Sequence, residues 1–218
     1  MITLSALQNI LAGGLLGATI LTMMSFRLRT MLRSYAFAAV FLALFSVSIG
    51  LRHGGEHLYI FGLATILLKS ILIPQFLLSL ARTSGAPKRL QSFVRAASTF
   101  FIAALLCGLA FLMHTRAVTL LPSSLPHEFL MIPISLVLLG FAMMILRRDI
   151  LSQMTGFLTL ENGISIIAVL TVGSLPMFIE LGVFSALTVS TLLMSHLFRR
   201  VQELYGAPDS SLLNELVE

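Results

Sequence analysis

Charge is scarce in this chain. Of 218 residues, 11% are Asp, Glu, Lys or Arg and 57% are hydrophobic, whereas soluble domains carry about 25% and about 45–50% respectively. With a mean hydropathy of +0.99, that balance excludes an ordinary soluble fold. Cysteine is nearly absent. The lone Cys107 lies in an apolar run, which excludes an internal disulfide framework and a multi-cysteine metal centre. No Walker A loop, G-x-G-x-x-G strand turn, G-x-S-x-G elbow or H-E-x-x-H helix occurs, so no motif for nucleotide binding or hydrolysis is present. The opening MITLSALQNILAGG lacks the basic region and cleavage site of a signal peptide. It is expected to remain as a first transmembrane helix.

What the chain has is apolar runs long enough for a ~30 Å hydrocarbon layer. Seven spans are predicted, at about 4–26, 34–51, 58–81, 95–114, 127–146, 151–172 and 176–198, giving an all-α, polytopic membrane protein. The connections hold most of the charge. Arg27, Arg29, Arg33, Arg82, Lys88, Arg89, Arg95, Arg147, Arg148, Arg199 and Arg200 all fall on one side if the spans alternate, against Arg52 and Arg116 on the other. The positive-inside rule then puts the N-terminus outside and the C-terminus in the cytoplasm. A sequence pI near 10.1 is therefore topological in origin, and the expected partner is a lipid bilayer with no nucleic acid. Residues 199–218 return to soluble composition and read as a cytoplasmic tail. Gly13 and Gly17 form a G-x-x-x-G step, which predicts close helix packing in the first span.

Three ionisable residues fall inside spans: Lys69, Glu161 and Glu180. A central charge costs roughly 2.5–3.5 kcal/mol on insertion scales and usually faces a cavity or a partner. At ~1.5 Å of rise per residue, Glu161 and Lys69 reach a similar mid-membrane depth, so a Lys69–Glu161 pair is geometrically open. Glu180 enters the last span by about one turn and lies nearer the outer surface. Pro74, five residues after Lys69, predicts a kink or opening of that helix, because it removes a hydrogen bond and crowds the Ser70 carbonyl. Thr155, Thr159, Asn162 and Ser165 keep Glu161 polar company, with Asn162 and Ser165 on its face. Two readings stay open: a structural ion pair that fixes packing, or groups that pass protons or hold an ion. His196, near the inner end of the last span, could relay protons or simply sit at the interface. His53, Glu56 and His57 loosely resemble metal-ligand spacing, but Gly54 and Gly55 argue against rigid presentation and no metal site is expected. The last span has no lysine to attach retinal.

The segment RRDILSQMTGFLTLENG, residues 147–163, resembles a motif of the hydrogenase-4 component E family, the membrane subunit of formate hydrogenlyase-type complexes. Arg148, Ile150, Leu151, Gln153, Gly156, Glu161, Asn162 and Gly163 carry the match. Glu180–Leu181–Gly182, then Lys69, Leu72 and Pro74, and in the tail Gly206, Asp209, Leu213 and Leu216 extend it over the chain. The last three spans are also similar to the K subunit of complex I, through Arg147, Arg148, Gly156 and Asn162. The carboxylate of that family falls at Leu158, one turn from Glu161 on the same face.

The resemblance implies four N-terminal helices over 1–126, a K-like three-helix unit over 127–198 and the tail. It implies a membrane-arm subunit of an energy-converting [NiFe] hydrogenase in the cytoplasmic membrane of a bacterium or archaeon. In that setting Glu161, Glu180 and Lys69 would relay protons, with Asn162, Ser165, Pro74 and His196 in support. No cofactor is expected in this chain. The nickel–iron centre and iron–sulfur clusters would belong to cytoplasmic hydrogenase subunits, beside antiporter-like membrane neighbours. Ala186 stands where relatives commonly carry a further acidic residue, which favours a scaffold role as one alternative. A freestanding carrier is the other; it should show an internal repeat, and no clear one is found.

Overall fold

The computed structural model describes residues 2–53, 56–83, 90, 92–120 and 129–171, with Leu192, His196, Arg200 and Glu203. Helix α1 (Ile2–Met24) and helix α2 (Leu28–His53) form a hairpin joined by a short turn. Helix α3 (Glu56–Thr65) runs through a π-helical segment (Ile66–Leu72) into helix α4 (Ile73–Thr83). Helix α5 (Ala96–Leu120), helix α6 (Met131–Leu146) and helix α7 (Ile150–Thr171) follow. Among the described residues there is no extended strand; Ser92 and Arg147 form an isolated bridge.

Leu4–Met24, Leu28–Leu51, Leu58–Arg82, Ala96–Thr119 and Ile150–Leu170 are each long and apolar enough to cross a membrane, and Met131–Leu146 is a shorter apolar helix. The protein is a helical membrane protein. Most of the expected seventh span and tail, Glu180 and Ala186 included, lies outside the described residues. His196, Arg200 and Glu203 are exposed and helical, the last two lying beyond the expected end of the span at 198. Likewise α5 runs past the expected end at 114, which places Arg116 on the helix itself, exposed near its last turn.

The hairpin connections bring the C-termini of α1, α4 and α6 and the N-termini of α2 and α7 to one end of the bundle. Arg27, Arg29, Arg33, Arg82, Arg95, Arg147 and Arg148 belong to that end. The charge asymmetry read along the sequence is thus an asymmetry in space.

Two apolar layers make the core. Near the arginine-rich end, Met31, Leu32, Leu77, Leu80, Met143, Leu151 and Leu158 pack together. Toward the opposite end Leu15, Leu42, Leu58, Leu136 and Ile166 pack around Phe45 and Phe129, whose rings meet edge-on at 5.3 Å. Helix α7 is central and α5 peripheral: 67% of the α7 apolar window is buried, against 17% for α5.

Helices α6 and α7 touch through glycine. A Cβ on Gly140 would lie 2.6 Å from the Leu160 nitrogen, and one on Gly163 would lie 2.9 Å from the Pro133 carbonyl. The step expected to pack α1 does not do so. Nothing in the described chain comes within 4 Å of a Cβ on Gly13 or Gly17, and both are exposed. Gly14 is the close contact instead: a Cβ there would lie 2.7 Å from the Phe41 ring. The spacing was satisfied, but it lies on the outer face of the hairpin.

Candidate functional site

Lys69 lies midway along the Leu58–Arg82 rod and Glu161 midway along α7. Each is about 16 Å of helix rise from the nearer rod end or the start of its helix. Both are buried, Lys69 with 0% of its surface exposed and Glu161 with 8%. The lysine ammonium makes an ion pair with the Glu161 carboxylate. It also donates to Asn162 Oδ1 at 3.0 Å and to Ser165 Oγ at 3.2 Å. Ser165 in turn donates to Glu161 Oε1 at 3.0 Å. An ammonium has three protons to donate, and here three acceptors from a single turn of α7 receive them.

The backbone explains how the lysine reaches this position. Between Ile66 and Leu72 the chain is π-helical, and the Ile73 N–H bonds to the Leu68 carbonyl, five residues back. Pro74 follows immediately. Its ring would crowd the Ser70 carbonyl in an α-helix, and the wider π turn relieves that contact. The expected local distortion beside Lys69 is therefore present, as a π segment; such segments inside α-helices concentrate at functional sites. Ser70 Oγ donates to the Ala36 carbonyl at 3.2 Å, fixing the segment against α2.

Asn162 and Ser165 join the lysine as their shared face predicts. Thr155 and Thr159 do not: each hydroxyl donates to the carbonyl four residues earlier in α7, Leu151 at 2.9 Å and Thr155 at 2.8 Å. The structure adds Tyr35, which no sequence signal singled out. Its side chain is 1% exposed, next to Asn162 and within electrostatic range of Glu161. An aromatic residue in an apolar helix reads as packing unless its depth relative to a partner helix is known. His196 is exposed, and Glu180 lies outside the described residues. Among the described residues no group of three His, Cys, Asp or Glu is arranged to hold a metal. The side chains of His53, Glu56 and His57 are outside that description.

At the arginine-rich end, Arg147 is also buried. It donates to the Met23 carbonyl and, at 2.8 Å, to the Ser25 carbonyl, and its guanidinium lies 4.7 Å from the Phe26 ring centre. These are free acceptors at the C-terminus of α1, where a cation is favoured. Burial draws the Arg147 pKa below its ordinary value, with Asp149 opposing. Asp149 caps α7 by accepting the Ser152 N–H at 2.9 Å. Gln153 donates to the Arg147 carbonyl at 3.0 Å. The Arg147–Gln153 portion of the motif that carried the resemblance is therefore a joint between α1, α6 and α7.

No family profile and no solved structure matches the chain. It is similar to the uncharacterized protein Rv0085 of Mycobacterium tuberculosis, with 30% identity over 220 aligned positions covering 97% of this chain and 96% of that protein. The chain belongs to the same family as that protein.

Proposed function

We propose that this family member is a membrane-arm subunit of a complex I-like, energy-converting [NiFe] hydrogenase of the hydrogenase-4 or formate hydrogenlyase type. It spans a bacterial or archaeal cytoplasmic membrane seven times, with its N-terminus outside. It contributes to proton or sodium translocation, while redox chemistry at nickel–iron and iron–sulfur centres proceeds in partner subunits. The observation that carries this reading is the buried Lys69–Glu161 pair at a π-helical segment midway along its rod. Intramembrane ionisable residues mark ion and proton pathways. The ammonium and the carboxylate can exchange a proton without creating an isolated charge, because the proton neutralises both partners at once. Asn162 and Ser165 orient the two groups in either state. Glu180 continues the path toward the outer face and His196 toward the inner.

The test has two parts. Mild-detergent purification of the tagged protein from its native membrane should recover hydrogenase and antiporter-like subunits; recovery of a lone monomer or homo-oligomer would refute the subunit reading. In the intact complex, Glu161→Gln keeps an amide oxygen that can accept from Lys69, so the complex should still assemble while ion translocation falls at least tenfold. A scaffold role is the second reading, favoured by the complete pairing of the Lys69 ammonium. It requires instead that Glu161→Gln leave translocation unaltered.

A further inference from the structure

Among the described residues the buried threonines follow a rule, and one of them breaks it. The hydroxyls of Thr19, Thr22, Thr99, Thr155 and Thr159 each donate to the carbonyl four residues earlier. Thr65 is 0% exposed, and its hydroxyl has no hydrogen-bond partner. Thr65 lies one turn before Lys69, at the last residue before the π segment. Tyr35 is buried too, and its hydroxyl, although beside the Asn162 side chain, makes no hydrogen bond of ordinary geometry. It adjoins Ala36, the residue bonded to Ser70, and so flanks Lys69 on the side toward the arginine-rich end.

An unpartnered buried hydroxyl is costly, and native proteins resolve such groups with bound water when the surroundings are polar. Here two of them bracket a buried ion pair along the helix axes. Below them, Ser152, Thr155, Thr159 and Asn162 line up on one face of α7 at helical spacing. The Ser152 hydroxyl reaches Met31 Sδ of α2 at 3.5 Å, so this face looks toward the helix that carries Tyr35.

We infer that Tyr35 and Thr65 hold bound water at the two ends of the Lys69–Glu161 pair, and that Tyr35 passes protons between Glu161 and the arginine-rich end. In each transfer the Tyr35 oxygen accepts a proton from water on the Glu161 side. It releases its own proton to water on the other side, so the phenol stays neutral. The relay part of this inference rests on the proposed function; the hydration part does not.

Radiolytic hydroxyl footprinting of the full chain in its native assembly tests hydration, because a side chain beside ordered water is oxidised even when bulk solvent cannot reach it. Tyr35 should be modified several-fold faster than Phe45, which is 2% exposed, and toward the rate of Tyr59, which is 37% exposed. Oxidation of Tyr35 at the Phe45 rate would overturn the water sites. The relay is tested by Tyr35→Phe, which keeps the ring and removes the hydroxyl. Ion translocation per electron should fall about tenfold, with assembly and hydrogenase turnover retained. Translocation at the wild-type ratio in Tyr35→Phe, alongside loss in Glu161→Gln, would refute Tyr35 alone. Wild-type ratios in both variants would refute the proposed function, while the footprint would still decide hydration.

Discussion

The Lys69–Glu161 pair makes a thermodynamic prediction that needs no knowledge of partners. Removing one member of a buried ion pair leaves the other charged and unpaired, which costs about 3–5 kcal/mol. Lys69→Met should therefore destabilise the bundle by roughly that amount, less whatever Glu161 recovers by taking up a proton at about 1.4 kcal/mol per pKa unit. Glu161→Leu should cost a similar amount, because the ammonium keeps only Asn162 and Ser165. If the changes were independent, the double variant would lose about 6–10 kcal/mol. It should lose about 1–3 kcal/mol instead, since two apolar side chains replace two charges. The Asn162 amide oxygen then lacks its donor and the Ser165 hydroxyl loses both partners, but the serine can turn to the carbonyl four residues earlier, as Thr155 and Thr159 do. The measurement is helix content against denaturant in mixed micelles for the four proteins of the cycle. A double variant that loses the sum of the two singles would show that the groups do not interact, and the site described above would fall with it.

Other parts of the fold make smaller claims. Gly140→Val should cost about 1–3 kcal/mol in the same denaturation assay, because its Cβ meets the Leu160 backbone. Gly13→Ala and Gly17→Ala, with nothing within 4 Å, should be neutral or stabilise by up to about 1 kcal/mol. Arg147→Lys should destabilise by about 2 kcal/mol, since an ammonium cannot serve two carbonyls and lie flat over Phe26 at once. Exposed Arg27→Gln should stay within about 0.5 kcal/mol of wild type. Pro74→Ala should let the rod relax to α-helical winding without loss of helix content. It should also turn Lys69 by about 100° of helix rotation relative to α4, abolishing the coupling measured in the double-variant cycle; coupling at wild-type strength would show that Pro74 does not maintain the π segment.

How much of this was legible depended on whether a residue's partner could be inferred along a single helix. Lys69 and Glu161 stood out because charges at mid-span are rare, and their matching depths followed from counting residues. Asn162 and Ser165 followed from helical periodicity on the same element. Tyr35 and Arg147 could not be found this way, because their roles depend on which helix stands opposite. An arginine after an apolar run reads as a topology signal, and only the fold reveals that the end of α1 lies beneath Arg147. The glycines show the same limit. G-x-x-x-G spacing at Gly13 and Gly17 permits close approach without requiring a neighbour, whereas Gly140, Gly156 and Gly163 have no such spacing and form the tight seam of α6 and α7. The opening beside Pro74 was foreseeable, but its π character was not, since a proline can also kink a helix in other ways.

The coincidence of two costs at one depth is the strongest physical argument that the site does more than hold helices together. A buried ion pair is seldom more stabilising than apolar side chains of equal volume, and a π segment forfeits α-helical hydrogen-bond geometry. Leucines at positions 69 and 161 in a regular α-helix would extend the apolar layers already on either side. Instead the chain places Lys69 at the one described π segment, opposite three polar acceptors, with the hydroxyls of Tyr35 and Thr65 beside it making no hydrogen bond of ordinary geometry. Departures from local consistency concentrate where function requires them. A packing device would need only one of these features, whereas the proposed proton passage uses ionisable groups, unbonded hydroxyls and an adjustable backbone together.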